Sequence, residues 1–368
     1  MNILISALHT DSKISGVGNY SINLINKMAG QQPDDQFYVL VNKHIKGALQ
    51  TYPNLQTIEV HHPNTLVGTI KKHLFHFFSL EDYGKKYNAD LIHVLNPILL
   101  RSGSIPIVVT VHDLAELYIK KYNYFRQAYR IFSTYRSCKS SAKIISISEN
   151  TKKDLVNKFK VDPQKVAVIY QSYGVEPVQN GASEETLNKQ GEYFLFVGKG
   201  LPHKNLNTVL EAFHQYKKEH GDQIQLVIVG EGNEDIVREF QHSQALEEHI
   251  IVKGYVSNEE LRQLYQGAFC FLMPSIYEGF GLPLIEAMAY GLPIISSNAA
   301  CLPEITQGQV LYHDPRNVQE LKECMKRIVN SEEVRREMTS KYPDILNSYT
   351  WKKTASKTFE VYRQLYKK

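Results

Sequence analysis

Tryptophan is almost absent from this 368-residue chain, which has one, and cysteine is sparse, with four. Cys138, Cys270, Cys301 and Cys324 are scattered and form no Cys-x-x-Cys pair. That excludes a disulfide-stapled scaffold and the usual spacing of zinc ligands. No window approaches the ~20 apolar residues that a spanning helix needs. The opening Met-Asn-Ile-Leu-Ile-Ser has no basic region before it and no export-signal layout. These absences point to a reduced, cytoplasmic protein. No nucleic-acid-binding module is recognisable, so no nucleic acid is expected as a partner.

What is present is ordinary for a globular chain, 43% hydrophobic and 22% charged residues, in a length that suits two domains. The net charge of +4 conceals an asymmetry. Residues 1–180 hold 21 Lys and Arg against 13 Asp and Glu, about +8, and the remainder is about −4. A basic half could face an anionic surface or the acidic half.

Short apolar runs predict strands at 2–6, 37–42, 57–60, 91–95, 107–111, 143–147 and 166–170, and again at 193–197, 225–229, 250–253, 269–273 and 294–296. Helical segments alternate with them, around 66–78, 149–159, 205–218 and 321–329. Ser148 and Ser257 stand as helix caps. Such alternation predicts parallel sheets covered on both faces, with ligand sites beyond the carboxyl ends of the strands. Residues 177–191 are polar and turn-rich and predict a linker. The tail from Tyr349, with Trp351, Phe359, Tyr362 and Leu365, is amphipathic.

The most informative stretch is 274–293. A buried strand runs into a loop containing Gly279 and Gly281, and Pro283 then occupies the first turn of a helix closed by Gly291 and Pro293. Main-chain N–H groups near Phe280, Gly281 and Leu282, at a helix N-terminus, suit an anion or a sugar hydroxyl. Two carboxylates bracket the turn, Glu278 and Glu286. Glu286 lies in an apolar helix, where a carboxylate needs a partner. The plainer reading makes one a loop acid and the other a solvated helix position. At 198–206, Lys199 and Lys204 flank a turn between a strand and a helix, a place for a charge-assisted diphosphate clamp. Gly16 and Gly18 open a helix but lie too far behind the first strand for a dinucleotide fingerprint, which argues against a nicotinamide dehydrogenase. His112-Asp113 ends the strand at 107–111. A lone pair of this kind is more often structural.

Glu278-x7-Glu286 around Gly-Phe-Gly-Leu-Pro resembles the signature of the retaining family 4 glycosyltransferases, of the group 1 type found in bacterial surface-polysaccharide assembly. Thr-Val-His-Asp-Leu at 110–114, Ile-Ser-Glu-Asn-Thr at 147–151 and the 198–206 turn continue the likeness. The resemblance implies an α/β GT-B fold: two Rossmann-like parallel-sheet domains facing a central cleft, with a C-terminal helix crossing back to the N-terminal domain. The domains expected are an acceptor-side domain over 1–176, the linker 177–191, a nucleotide-sugar domain over 192–347 and the returning helix over 348–368. It implies that Gly16, Lys199, Lys204, Gly281 and Leu282 bind the donor diphosphate. His112, Glu278, Phe280 and Gly281 would bind the donor sugar, and Glu286 the ribose. Tyr255 and Val256 would lie near the base. His112, Glu278 and Lys204 would carry catalysis.

The implied reaction transfers a hexosyl group from GDP-mannose or a UDP-hexose to a glycan acceptor, expected to be lipid-linked, in surface-polysaccharide biosynthesis. No Asp-x-Asp occurs in the chain, so no metal and no other cofactor is expected. A sugar-nucleotide epimerase of the same shape, or a non-catalytic sugar-nucleotide-binding protein, are the alternatives. Seven basic residues from Lys120 to Lys143 interleave with seven aromatic ones from Tyr118 to Tyr135, with Glu116 the one acid nearby. Lys71, Lys72, His73, Phe75, Phe77 and Phe78 repeat the pattern. Either this is a peripheral contact with the anionic inner face of a membrane, or a core-facing aromatic stripe with a solvated basic side.

Overall fold

The computed structural model describes residues 1–8, 16–60, 66–119, 124–174, 193–221, 223–243 and 249–366. The expected linker at 177–191 and the basic pair Lys120 and Lys121 lie outside the described residues. The chain divides into two compact units, residues 1–174 with 349–368, and residues 175–348.

In the first unit β1 (Asn2–Ser6) is followed by α1 (Gly16–Gln31), β2 (Gln36–Val41), α2 (Lys43–Ala48) and β3 (Leu55–Glu59). Then come α3 (Leu66–Phe78), α4 (Leu80–Lys86), β4 (Leu91–Val94), β5 (Ile107–Val111), α5 (Tyr124–Ser140), β6 (Lys143–Ser146), α6 (Glu149–Phe159) and β7 (Val166–Val168). The strands form one sheet in the order β3-β2-β1-β4-β5-β6-β7, all parallel. Its central strands are buried along their whole length, as a sheet covered on both faces requires. The expected cap is present: Ser148 Oγ accepts the Thr151 N–H at 3.1 Å. The run at 166–170 is shorter than its apolar character predicts. The carbonyl of Tyr170 accepts the hydroxyl of Thr354 at 2.8 Å instead of extending the ladder.

The second unit runs β8 (Tyr193–Val197), α7 (Leu206–Glu219), β9 (Gln225–Val229), α8 (Glu234–Ser243), β10 (Ile250–Lys253), α9 (Asn258–Gly267) and β11 (Cys270–Met273). It continues with α10 (Leu282–Ala289), β12 (Ile294–Ser297), α11 (Leu302–Ile305), β13 (Leu311–His313), α12 (Val318–Asn330), α13 (Glu332–Ser340) and α14 (Tyr342–Leu346). The sheet order is β10-β9-β8-β11-β12-β13, again parallel throughout. In each sheet the order reverses at one point, between β1 and β4 and between β8 and β11. That is where open α/β sheets place their ligands. Helix α8 has no counterpart among the elements read from the sequence. Its apolar residues, Ile236, Val237 and Phe240, are few beside its charges, and it starts with two acids that favour a helix N-terminus.

The last helix, α15 (Trp351–Leu365), belongs to the first unit and packs on α1. Thr350 caps it by accepting the Lys353 N–H. A buried polar chain anchors it. Tyr362 bonds His93 Nδ1 at 2.6 Å, His93 Nε2 bonds Thr110 Oγ1 at 2.9 Å, and Trp351 donates to the Tyr173 carbonyl at 3.0 Å. Among the described residues no helix is long and apolar enough to cross a membrane.

Burial drives the imidazole of His93 down to about 3, with His112 adding to the effect, and that of His112 down to about 4. Both are therefore neutral in the fold, whereas unfolded they take a proton near the ordinary 6.5. Stability is complete above that value and is lost as pH falls towards about 4 and then about 3. The loss is up to about 1.4 kcal/mol per pH unit for each histidine. Urea midpoints should therefore fall between pH 7 and pH 5, and fall less steeply in His93→Gln. Equal slopes for the two proteins would remove His93 from the account.

Candidate functional site

In the second unit the loops after β8 and β9 lie backbone against backbone. Gly198 N–H donates to the Val229 carbonyl and Gly200 N–H to the Glu231 carbonyl, both at 2.9 Å. A Cβ on Gly200 would stand 1.8 Å from the Gly232 oxygen, so only glycine fits this approach. The Asn233 amide donates to the carbonyls of Gly198 and Gly230, at 2.8 Å each. Lys199 projects from this double loop, largely exposed, and pairs with Glu231 at 3.4 Å. A surface pair of this kind is weak and easily exchanged.

The chain then makes a short turn over Pro202–Lys204 and reaches Asn205, which holds the left-handed conformation at φ 60°. The side chain of Asn205 fastens three segments. Its amide donates to the carbonyls of Pro274 at 3.0 Å and Pro315 at 2.6 Å, and its oxygen accepts the Thr208 hydroxyl at 2.9 Å. Ile276 N–H adds a bond to the His203 carbonyl at 2.8 Å. The turn bearing Lys204 is thus fixed to the loop after β11, and Lys204 Nζ meets Glu278 Oε1 at 2.6 Å. The two side chains are 18% and 12% exposed, so this pair is far less screened than Lys199 with Glu231. Beneath it the buried Cys301 thiol donates to the Glu278 carbonyl at 3.2 Å. Burial keeps that sulfur protonated, its pKa pushed well above the usual thiol range.

Gly281 caps α10 at φ +89°, and Pro283 lies in the first turn, as the sequence predicts. Phe280 is buried at 2% exposure, so only its main chain could face a ligand. Glu286, half-buried, accepts the Tyr265 hydroxyl at 3.0 Å. Burial raises the pKa of this carboxyl, with the Tyr265 bond opposing, and the Tyr265 phenol, raised well above its usual range, stays a donor. Tyr265 itself stacks on Tyr290 at 5.4 Å. Within the fold, the partner that this carboxylate needs is a side chain 21 positions earlier. Tyr255 is 72% exposed after β10, with Val256 half-buried beside it. Gly230 N–H ties that loop to its neighbour through the carbonyls of Lys253 and Gly254, at 3.0 and 3.1 Å.

In the first unit His112 follows β5 and is buried. Its Nε2 bonds the Leu95 carbonyl at 2.9 Å, and Tyr20 meets the ring edge-on at 4.8 Å. A carbonyl only accepts, so Nε2 carries the proton and Nδ1 is left as an acceptor. Asp113 accepts the Ala115 N–H at 3.0 Å and so shapes the following turn. Gly16 is the exposed first residue of α1. Among the described residues no group of three or more His, Cys, Asp or Glu gathers as metal ligands. Of the residues singled out from the sequence, Lys204 and Glu278 are brought into direct contact. Lys199 and Glu286 are engaged by Glu231 and Tyr265 instead. Asn205, Asn233 and Cys301 were not foreseen. Asn after a turn is the one signal that could have marked Asn205, since Asn tolerates the left-handed region.

Residues 14–173 match the family described as Glycosyltransferase Family 4, and residues 179–343 match the family described as Glycosyl transferases group 1. Among curated relatives, the chain is 28% identical to the O-antigen chain mannosyltransferase RfbU of Salmonella typhimurium, over 77% of this chain and 80% of that one. It is 23% identical to O-antigen chain mannosyltransferase B of Escherichia coli, over 99% and 100%. Among solved structures it is similar in fold to sucrose-phosphate synthase of Thermosynechococcus elongatus, with a TM-score of 0.76, 20% identity and coverage of 99% and 98%. It is also similar to Anabaena HepE in complex with UDP-glucose, with a TM-score of 0.72, 16% identity and coverage of 99% and 100%.

Asn205 offers a direct test of how the site is held. Asn205→Gly keeps the left-handed backbone but loses the three side-chain bonds, and should cost about 1–3 kcal/mol for the carbonyls left unpaired. Asn205→Ala loses the same bonds and adds roughly 1–2 kcal/mol of backbone strain. Thermal unfolding should therefore rank wild type above Asn205→Gly above Asn205→Ala. Equal midpoints for the two variants would show that the backbone at this position carries no strain.

Proposed function

The chain belongs to the group 1 glycosyltransferases of family 4 and is a glycosyltransferase, and from that premise we propose that it moves a hexosyl group, with retention at the anomeric carbon, from a nucleoside-diphosphate sugar to a glycan acceptor in polysaccharide biosynthesis. Two relatives are named O-antigen chain mannosyltransferases, which favours GDP-mannose over a UDP-hexose and a lipid-linked oligosaccharide as acceptor. The observation that carries the reading is the contact of Lys204 with Glu278, at the carboxyl ends of β8 and β11.

Opposite charges so close and so little exposed hold each other neutral until a ligand separates them. A diphosphate is the stronger partner for Lys204, since it brings two or more charges, and Lys199 can leave Glu231 to join it. The N–H groups of Gly281 and Leu282, at the start of α10, face the same anion in this reading. Negative charge grows on the diphosphate as the glycosidic bond breaks, so these cations and dipoles act mainly on the transition state. They do so in place of a metal ion, for which the chain has no Asp-x-Asp.

Glu278, once released, accepts hydrogen bonds from hexose hydroxyls. In the first unit, His112 is neutral and offers Nδ1 as an acceptor for a sugar hydroxyl. Glu286 takes the ribose with its second oxygen while Tyr265 holds the first, and the main chain at Tyr255 and Val256 borders the base.

Lys204→Ala and Glu278→Gln should each lower turnover by about 10²-fold or more, the loss typical of one oxyanion-stabilising donor. Their effects on GDP or UDP alone should diverge. Lys204→Ala weakens nucleoside-diphosphate binding, whereas Glu278→Gln frees the lysine and tightens it. Calorimetry on the two variants reads this directly. Parallel weakening in both would show that Glu278 does not compete for Lys204. A thermal-shift scan of nucleotide sugars, followed by product analysis with and without acceptor, identifies the donor. Free sugar or its epimer as sole product would favour the epimerase alternative.

A further inference from the structure

Helix α5 is turned inside out relative to an ordinary surface helix. Its inward face is small and polar: Ser133, Ser137 and Cys138 are buried at 4%, 0% and 1% exposure. Ser137 Oγ donates to the Ile98 carbonyl and accepts the Ile98 N–H, which fastens the helix to the segment after β4. Ile131 packs against the core and Tyr135 touches the buried Phe159 ring edge-on, but the aromatic residues otherwise point the other way. Phe125 is 84% exposed, Tyr124 77% and Phe132 52%, with Tyr129 and Tyr135 at 37% each. At ~100° per residue these side chains share an arc of about 140°. Helix α3 extends the surface: His73 meets the Tyr129 ring edge-on at 5.0 Å, and Leu74 and Phe78, one turn apart, are 49% and 56% exposed. A monomer in water has no reason to spend this much aromatic area on solvent.

The charge carried by the two helices is of one sign. Helices α3 and α5 contain six Lys and Arg and no Asp or Glu. Lys71 and Lys139 are exposed beside the aromatic residues, Lys139 lying over the Tyr135 ring at 5.6 Å. Arg130 is spoken for by Glu116 at 2.7 Å, which leaves Arg136, half-buried on the same arc as Phe125 and Phe132, as a further cation. Tyrosine and phenylalanine framed by lysine and arginine suit the boundary between lipid headgroups and acyl chains, where rings enter the apolar layer and the cations meet anionic headgroups. A second copy of the chain would set like charges against each other.

We propose that the outward faces of α3 and α5 form a docking surface for an anionic lipid bilayer, with Phe125 and Phe132 inserted below the headgroups. This is independent of the transferase chemistry, because none of these residues belongs to the site described above.

The test is cosedimentation of the full chain with phosphatidylcholine vesicles, with and without phosphatidylglycerol. Wild type should pellet with the anionic vesicles at low salt, be released as salt is raised, and stay in solution with phosphatidylcholine alone. The double variant Phe125→Ser/Phe132→Ser should lose at least about tenfold in affinity, given what burying even part of two phenylalanines is worth. Its unfolding midpoint and nucleoside-diphosphate binding should match wild type. Lys139→Glu should weaken binding to anionic vesicles in a salt-dependent way, which serves as a second readout if the double variant fails to fold. The proposal is overturned if wild type stays in solution with anionic vesicles at low salt, or if a folded double variant pellets as wild type does. It is also overturned if the patch proves instead to join copies of the chain or to retain single-stranded nucleic acid.

Discussion

Lys204 and Glu278 compensate each other's charge where both are held with little exposure, at the point where the second sheet reverses its strand order. Separating opposite charges in such a place costs far more than on an open surface. Much of the surrounding structure serves that contact. Asn205 locks the turn before α7 to the loop after β11, Cys301 holds the Glu278 main chain, and Gly281 allows α10 to begin where a side chain would collide with Leu302. In the proposed reading, this pair gives way to a ligand that offers an anion to one partner and hydroxyls to the other, so the site is prepared by internal compensation rather than left charged and waiting.

The first unit uses buried polarity for a different purpose. His93 and Thr110 stand on neighbouring central strands, and Tyr362 arrives from the other end of the chain to complete their hydrogen bonds. Desolvation keeps the imidazole neutral, so the chain of hydroxyl and ring nitrogen fixes one arrangement of α15 without burying a net charge. His112, one strand end away, is held by similar means in a tautomer that leaves an acceptor.

Local features were the legible ones. The helix at 66–78, the caps at Ser148 and Ser257, the proline in the first turn of α10 and most of the strands follow from patterns within a few residues. The glycines and glutamates of 274–293 drew attention to their loop for the same reason. What stayed hidden depends on pairs distant in sequence: the partner of Glu286 is 21 residues away, that of Glu278 is 74 away, and Asn205 reaches Pro315 across 110. Asn205 and Gly200 are ordinary letters until a second strand of backbone is placed against them. The orientation of α5 was equally undecidable, because an alternation of aromatic and basic residues does not say which set turns inward. The serines at 133 and 137 settle it only once Ile98 is seen to bond Ser137.

The last helix has a consequence for how the molecule is made. The first unit takes its final element from residues 349–368, so it cannot close when its own strands have left the ribosome. The nascent chain must carry His93 and the flank of α1 without their partner while roughly 170 further residues are synthesised, about 10–35 s at ordinary elongation rates. The amino-terminal half therefore matures after the half that follows it, and emergence of α15, rather than of the seven strands, marks the moment its core is sealed.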